Sequence, residues 1–386
     1  MSESALFLDK SKLSPRYVPE ELPHRQAQIQ QIVHTFSDVL KDPDKFPLTV
    51  LQVIGPAGIG KTSTVIRSSK IIEELFAKNR LRLTTAYINL KLQGGNKFAI
   101  YRFLLEHIAP DLPVQGLGAE GMLRYLLQYL RQSSQYAFII MDEIDYLIKS
   151  SKDTDVVYDL TRLNEYEPDS PCNVKGVIFI ARNKEFYSKL DAAELSTLGR
   201  VPMEFYPYTI EQVSDILEAR ASQAFKPKAI GSDVIDKVAS ITTSADVNSD
   251  VRYALDLLLY AGNLAESQGT GRVMLDHVRK VHNQMHPLLT SEEIEQLSKN
   301  HVVSLLALVR ALKSKKKSYV ELKDVRLYAS ELAGQLGMKK IEIEDYLEDL
   351  RARRLIDIKS LKAIGLHGAS LGELEPILMS KVEGER

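Results

Sequence analysis

The chain of 386 residues has no tryptophan and a single cysteine, Cys172. One cysteine excludes an intrachain disulfide and a cysteine-based metal cluster, and it fits a reducing compartment. A dominant charge is also missing, with 50 Lys+Arg against 51 Asp+Glu. That balance removes any global electrostatic argument for nucleic acid, so contacts with DNA must come from local patches. Long apolar runs are absent. The stretch from Val302 to Val309, interrupted by Ser304, is far too short to span a bilayer. With no charged-then-apolar leader, a soluble cytoplasmic protein without a membrane partner is expected. No internal repeat or low-complexity segment is visible, which argues against a solenoid or propeller. Hydrophobic residues make up 44% of the chain, enough to exclude general disorder. Its length exceeds what one core usually organises, so two or three domains are expected.

What is present begins with Gly55-Pro56-Ala57-Gly58-Ile59-Gly60-Lys61-Thr62, a match to the phosphate-binding loop pattern. It follows Leu48 to Ile54, an apolar run that reads as a buried strand. Glycines let the backbone curl so that successive N–H groups face a phosphate, and the helix starting near Lys61 adds its positive end. Pro56, Ala57, Gly58, Ile59 and Gly60 are therefore expected to cradle ATP or ADP. Lys61 would reach the β- and γ-phosphates, and Thr62 would hold Mg²⁺ through its hydroxyl, with Ser63 as substitute.

A second apolar run, Ala137 to Met141, ends in Asp142-Glu143-Ile144-Asp145. Two adjacent carboxylates at a strand's C-terminal end suit phosphate chemistry, Asp142 as the Mg²⁺ ligand and Glu143 as the general base that orients water. A third run, Val174 to Ile180, leads into Ala181-Arg182-Asn183, where Asn183 could touch the γ-phosphate or hold the water. Helical patterns, Ile100 to His107 and Ala119 to Leu130, lie between the runs. Alternating strands and helices predict an α/β fold, a parallel sheet with helices on both faces and the nucleotide at the strands' C-terminal edge.

Together these motifs resemble an AAA+ ATPase of the archaeal replication-initiator family, related to eukaryotic origin recognition complex subunits and to the cell-division-cycle ATPase that loads the replicative helicase. The most specific likeness precedes the phosphate loop, at Leu13-Ser14-Pro15-Arg16-Tyr17-Val18-Pro19 and Leu22-Pro23-His24-Arg25. The resemblance implies that this arm wraps the adenine, with Tyr17, Val18, Pro19, His24 and Arg25 as base-contacting residues. Asn183 takes the place of a first sensor. Phe205-Tyr206-Pro207-Tyr208 resembles the start of a helical lid, which adds Tyr208 to the nucleotide site. Asp250-Val251-Arg252-Tyr253-Ala254-Leu255 resembles the second sensor, in which Arg252 reaches the phosphates. The implied division is an AAA+ core with its adenine-binding arm over 1–203, a helical lid over 204–288 and a winged helix over 289–386.

One departure concerns the segment after the first sensor, where the family usually carries an arginine that acts on a neighbour's nucleotide. Here Leu190-Asp191-Ala192-Ala193 places alanine at that position, with Arg200 nearby as a candidate substitute. Little ATPase stimulation through self-assembly is expected by this route.

Near the C-terminus, helices are expected over Val302 to Leu312, Leu322 to Leu336 and Ile341 to Arg353. Strands at Leu355 to Ile358 and Ile377 to Met379 would flank a glycine-rich segment, Ile364 to Gly372, and the whole describes a winged helix. Its third helix is the second departure. Placing residues 100° apart buries Ile343, Tyr346, Leu347 and Leu350, and it gathers Asp345, Glu348 and Asp349 on the exposed face. Phosphates repel such a face. DNA contacts would then fall to Lys315, Lys316, Arg351 and Arg353, to Gly365, His367 and Gly368 of the wing, and to Gln115 and Gly116, which resemble the turn of a DNA-touching insertion in the ATPase domain. The implied function is a slow, ATP-switched, nucleoid-associated initiator that binds double-stranded origin DNA and helps recruit the replicative helicase or other initiator subunits. The alternative is a regulatory paralogue whose winged helix faces protein, which the acidic helix favours.

Overall fold

The computed structural model describes residues 4–384 except 94–95, 151–154, 167–169, 200, 245, 286–296, 316, 318, 339–340, 354, 361 and 367–370. The chain divides into two compact units, one of residues 11–223 and 239–256, the other of 1–10, 224–238 and 257–386.

The first unit is built on a five-stranded sheet in the order β2-β3-β4-β1-β5, formed by β1 (Thr49–Ile54), β2 (Arg82–Asn89), β3 (Gln135–Asp142), β4 (Val174–Ala181) and β5 (Met203–Glu204). All neighbours run parallel. Every residue of β4, and all of β3 but Gln135, is buried, which is why both read as largely apolar runs: helices cover both faces. No comparable run marks the edge strand β2, because Thr84 and Thr85 are only half-buried and its pattern is weak. Among the helices, Ala119–Gln132 buries Met122, Leu123, Leu126, Leu127 and Leu130 as one apolar stripe. Helix Lys97–Ile108 starts at Asn96, whose side chain accepts the Ala99 N–H at 2.9 Å. The arm leads into Gln26–Thr35, followed by a 3₁₀ turn at Asp38–Leu40.

Register fixes what meets at the sheet's edge. Ile54 lies opposite Ala181 and Asp142 opposite Ile180, so β1, β3 and β4 end nearly flush. Their exit loops carry the phosphate loop, the carboxylate pair and Arg182 to one place.

In the other unit, helices Lys299–Lys315, Leu322–Gln335 and Glu344–Ala352 precede an antiparallel hairpin of β6 (Ile356–Ser360) and β7 (Ala363–Leu366). This is the order of a winged helix, with Val320 bridging Ile364 beside the hairpin. The third helix buries Ile343, Leu347 and Leu350 as expected, while Tyr346 is only half-buried. The segment Ile377 to Met379 is not a strand; it lies inside the helix Leu371–Gly384. Leu374, Leu378 and Val382 are buried at helical spacing, a period that a three-residue apolar run cannot reveal. Glu375 of this helix binds Arg310 at 3.2 Å and Lys313 at 2.7 Å. Elsewhere in the unit, Phe7 stacks on Phe225 at 4.6 Å between ring centres, and Glu266 accepts the Ala5 N–H at 2.9 Å.

Candidate functional site

The loop after β1 turns through Gly58 (φ 73°) and Gly60 (φ 84°), left-handed conformations that favour glycine, and helix Lys61–Lys78 begins directly behind it. Gly58 has a second constraint. A Cβ there would lie 1.9 Å from Asp250 Oδ1 and 2.8 Å from Asp250 Cα. The neighbouring Val251 N–H donates to the Gly58 carbonyl at 3.1 Å, so the helix that carries Arg252 starts on the phosphate loop. Replacing Gly58 by alanine should therefore weaken ATP binding by about tenfold or more, since both the backbone strain and the clash act on the loop itself. A fluorescent-nucleotide titration checks this, and unchanged affinity would show that the loop tolerates the displacement.

Lys61 is buried and donates to the carbonyls of Gly55 at 2.7 Å and Pro56 at 2.6 Å. Burial pulls its ammonium down to about 8, partly offset by Asp142. Thr62 Oγ1 and the Tyr87 hydroxyl both donate to Asp142 Oδ2 at 2.8 Å, while the Glu143 N–H donates to Oδ1 at 2.9 Å. Burial raises the Asp142 pKa, and the Thr62 and Tyr87 donors oppose the rise. A hydroxyl and a carboxylate held together are hard oxygen donors, the kind that would suit a magnesium ion and the positive charge it would bring to phosphate.

Glu143 follows on a left-handed backbone (φ 60°). Arg182 grips it: Nε donates to Oε2 and Nη2 to Oε1, each at 3.1 Å, and Nη2 stands 2.8 Å from Oε2. Asn183, expected to touch the γ-phosphate or hold the water, is exposed, and its Oδ1 accepts the Glu185 N–H at 3.0 Å.

These groups open into a cavity of about 770 Å³ lined by the loop residues Gly58 to Thr64 other than Ile59, by Tyr17, Val18, Pro19 and Arg25, by Tyr87 and Asn89, and by Asp142, Glu143, Tyr208 and Arg252. Ile59 is buried in the core, its carbonyl accepting from Arg25 at 2.7 Å, and Pro56 and Ala57 lie outside this lining. Arg25 stacks over Tyr208 at 3.9 Å and so braces the loop and Tyr208 together. His24 does not enter the lining. Its left-handed backbone (φ 60°) turns the ring to Asp215, 2.7 Å away, on the surface. Two further residues complete the site. Tyr87 comes from the edge strand β2, and Arg220 donates to the carbonyls of Tyr17 at 3.0 Å and Ser14 at 2.8 Å, fixing the arm. Burial pushes Arg220 down to about 10.

Of the surface residues, Gln115 and Gly116 (φ 82°) are exposed on a turn anchored by Leu112, Val114 and Leu117. Among the C-terminal helices, Lys315 pairs with Asp324 at 3.3 Å, Arg351 with Glu348 at 3.4 Å and Arg353 with Asp349 at 2.7 Å. Gly365 is buried within β7 opposite Asp357. Lys316, His367, Gly368 and Arg200 lie outside the described residues. Asp191 caps Ala192–Thr197 through a reciprocal pair with Glu194, so the segment at Ala193 is ordered without an arginine. Among the described residues, no helix is long and apolar enough to cross a membrane.

A parallel sheet of this order, with a phosphate loop leaving β1 and a carboxylate pair leaving β3 on the other side of β4, defines a P-loop ATPase of the AAA+ class. Family models agree: residues 48–190 match an AAA domain and residues 214–283 match the Cdc6 AAA+ ATPase-type lid domain. Over 91% of this chain and 85% of the relative, the sequence is 30% identical to ORC1-type DNA replication protein 1 of Sulfurisphaera tokodaii. It is 31% identical to the ORC1-type DNA replication protein of Thermococcus kodakarensis over 79% of this chain and 72% of the relative. The chain thus belongs to the ORC1-type DNA replication proteins, initiators of replication. The fold is similar to that of Cdc6p from Pyrobaculum aerophilum (TM-score 0.80, 24% identity, 98% of this chain and 99% of that one). A second likeness is to ORC1 of Aeropyrum pernix, solved in complex with DNA (TM-score 0.65, 24% identity, 98% of each chain).

Proposed function

We propose that this protein is a slow, ATP-switched replication initiator that binds origin duplex DNA and takes part in recruiting the replicative helicase or other initiator subunits. The observation that carries the reading is the cleft in which the phosphate loop, the Asp142–Glu143 pair, the arm at Tyr17 to Pro19 and Arg252 converge. Its volume suits a nucleotide. Tyr17, Val18 and Pro19 flank the base, the loop N–H groups and Lys61 hold the phosphates, and Arg252 senses the γ-phosphate from the second-sensor helix. Thr62 and Asp142 hold Mg²⁺, which supplies positive charge to the phosphate oxygens when bound. Glu143 orients water and takes its proton. Alanine at position 193 removes one source of stimulation, which supports slow turnover and a long-lived bound state.

On the DNA side, backbone contacts from Lys315, Lys316, Arg351 and Arg353, from the wing at Gly365, His367 and Gly368, and from Gln115 and Gly116 would position the duplex. The second reading, a winged helix that faces protein, draws support from the exposed Asp345 and Glu348 and from the pairing of Arg351 and Arg353 with acids of their own helix. Anisotropy titrations of origin-region and scrambled duplexes, with ATP or ADP across a salt series, decide between the two. A preference of about a hundredfold for origin DNA is expected of an initiator. Equal salt-sensitive binding, or none, transfers the assignment to the protein-facing paralogue.

A further inference from the structure

We propose that Arg182 is a positioning residue that holds Glu143 in a resting orientation and so restrains hydrolysis until the pair opens. The inference rests on the reading of Glu143 as the base. A general base must present an oxygen to water at hydrogen-bond distance. Here both Glu143 oxygens are taken by one guanidinium in fork-to-fork geometry, at 3.1 Å on each side. The backbone of Glu143 is itself in the left-handed region, a conformation that persists only where the surroundings impose it.

The pair is placed to open. The Arg182 side chain is 46% exposed and that of Glu143 17%, so solvent competes for the guanidinium. A destination is at hand on the same side. Asp145 is buried, its Oδ1 has no hydrogen-bond partner among the described residues, and it lines a small pocket together with Glu143, Arg182, Lys61 and Arg252. Departure of Arg182 toward Asp145 would satisfy that oxygen and return both Glu143 oxygens to water. Asn183, turned away to the Glu185 N–H, takes no share in the holding.

The test uses the full chain with Arg182→Ala, Arg182→Lys and Glu143→Gln, reading kcat, KM, the Kd of a fluorescent ATP analogue and Tm. Arg182→Ala is expected to raise kcat about fivefold, the worth of a half-exposed ion pair, with KM and Kd within about threefold of the parent. Lysine, which restores the charge without the fork, should return kcat toward the parent value. A kcat that is unchanged or lower in Arg182→Ala, at intact Kd and Tm, overturns the proposal. If alanine impairs folding, Arg182→Gln is read in its place by the same criterion. Glu143→Gln separates the two levels. Turnover at the parent rate there removes the base assignment and the restraint with it, whereas lost turnover combined with a flat Arg182→Ala result rejects the restraint alone.

Discussion

Replacing Lys61 by alanine is expected to raise the Kd for ATP by about a hundredfold or more, equivalent to about 3 kcal/mol. The side chain is buried and donates only to loop carbonyls, so the protein keeps its ammonium near the place where phosphates would sit at the cost of desolvating it. That cost appears as a pKa near 8. The sign of the pH dependence follows. Phosphates bind the charged form, which the nucleotide-free protein holds almost fully below about pH 7, half at about pH 8, and loses above it. ATP affinity should therefore be flat below about pH 7 and fall by about tenfold per pH unit above 8, as binding takes up one proton. Isothermal titrations in two buffers of different ionisation enthalpy measure the uptake directly. In Lys61→Ala both the uptake and the slope should vanish, and a variant that kept parental affinity would misplace the site altogether.

Glu143→Gln should leave ATP binding within about threefold and lower kcat by about a thousandfold, the amide being isosteric but unable to take a proton. Phosphate release under single-turnover conditions separates this from slow product loss. Residual hydrolysis within about threefold of the parent would exclude Glu143 as the base. The substitution also removes the charge attraction for Arg182, so binding of the γ-phosphate must be measured alongside turnover.

The nucleotide site was legible in the sequence where its chemistry is local. Gly55 to Thr62 announces itself by spacing, and Asp142 by closing an apolar strand. What the sequence does not carry is the direction in which a side chain points. Asn183 follows β4 in sequence as a sensor residue should, yet its Oδ1 is held by the Glu185 N–H of its own turn, a local contact that no motif encodes. His24 lies in sequence between cleft-lining Pro23 and Arg25, yet its backbone sends the ring outward. Tyr87 reaches Asp142 across a strand pairing that no local pattern encodes. The C-terminal domain divides in the same way. Three helices were readable from the apolar patterns of Val302 to Leu312, Leu322 to Leu336 and Ile341 to Arg353, whereas Ile377 to Met379 offered too few residues to tell a period of 2 from one of 3.6.

The partition of residues between the two units has a practical consequence for dissecting the protein. Residues 1–10, 224–238 and 257–386 form one unit and 11–223 with 239–256 the other, so the covalent chain passes between them four times, after residues 10, 223, 238 and 256. No single protease cut can release either unit as one peptide. A clone ending after residue 203 would retain the phosphate loop but omit Asp250, Val251 and Arg252, the segment that abuts Gly58. Deletion mapping would therefore attribute to a missing domain what is the loss of a stitch, and point substitutions in the intact chain are the sound way to assign its activities.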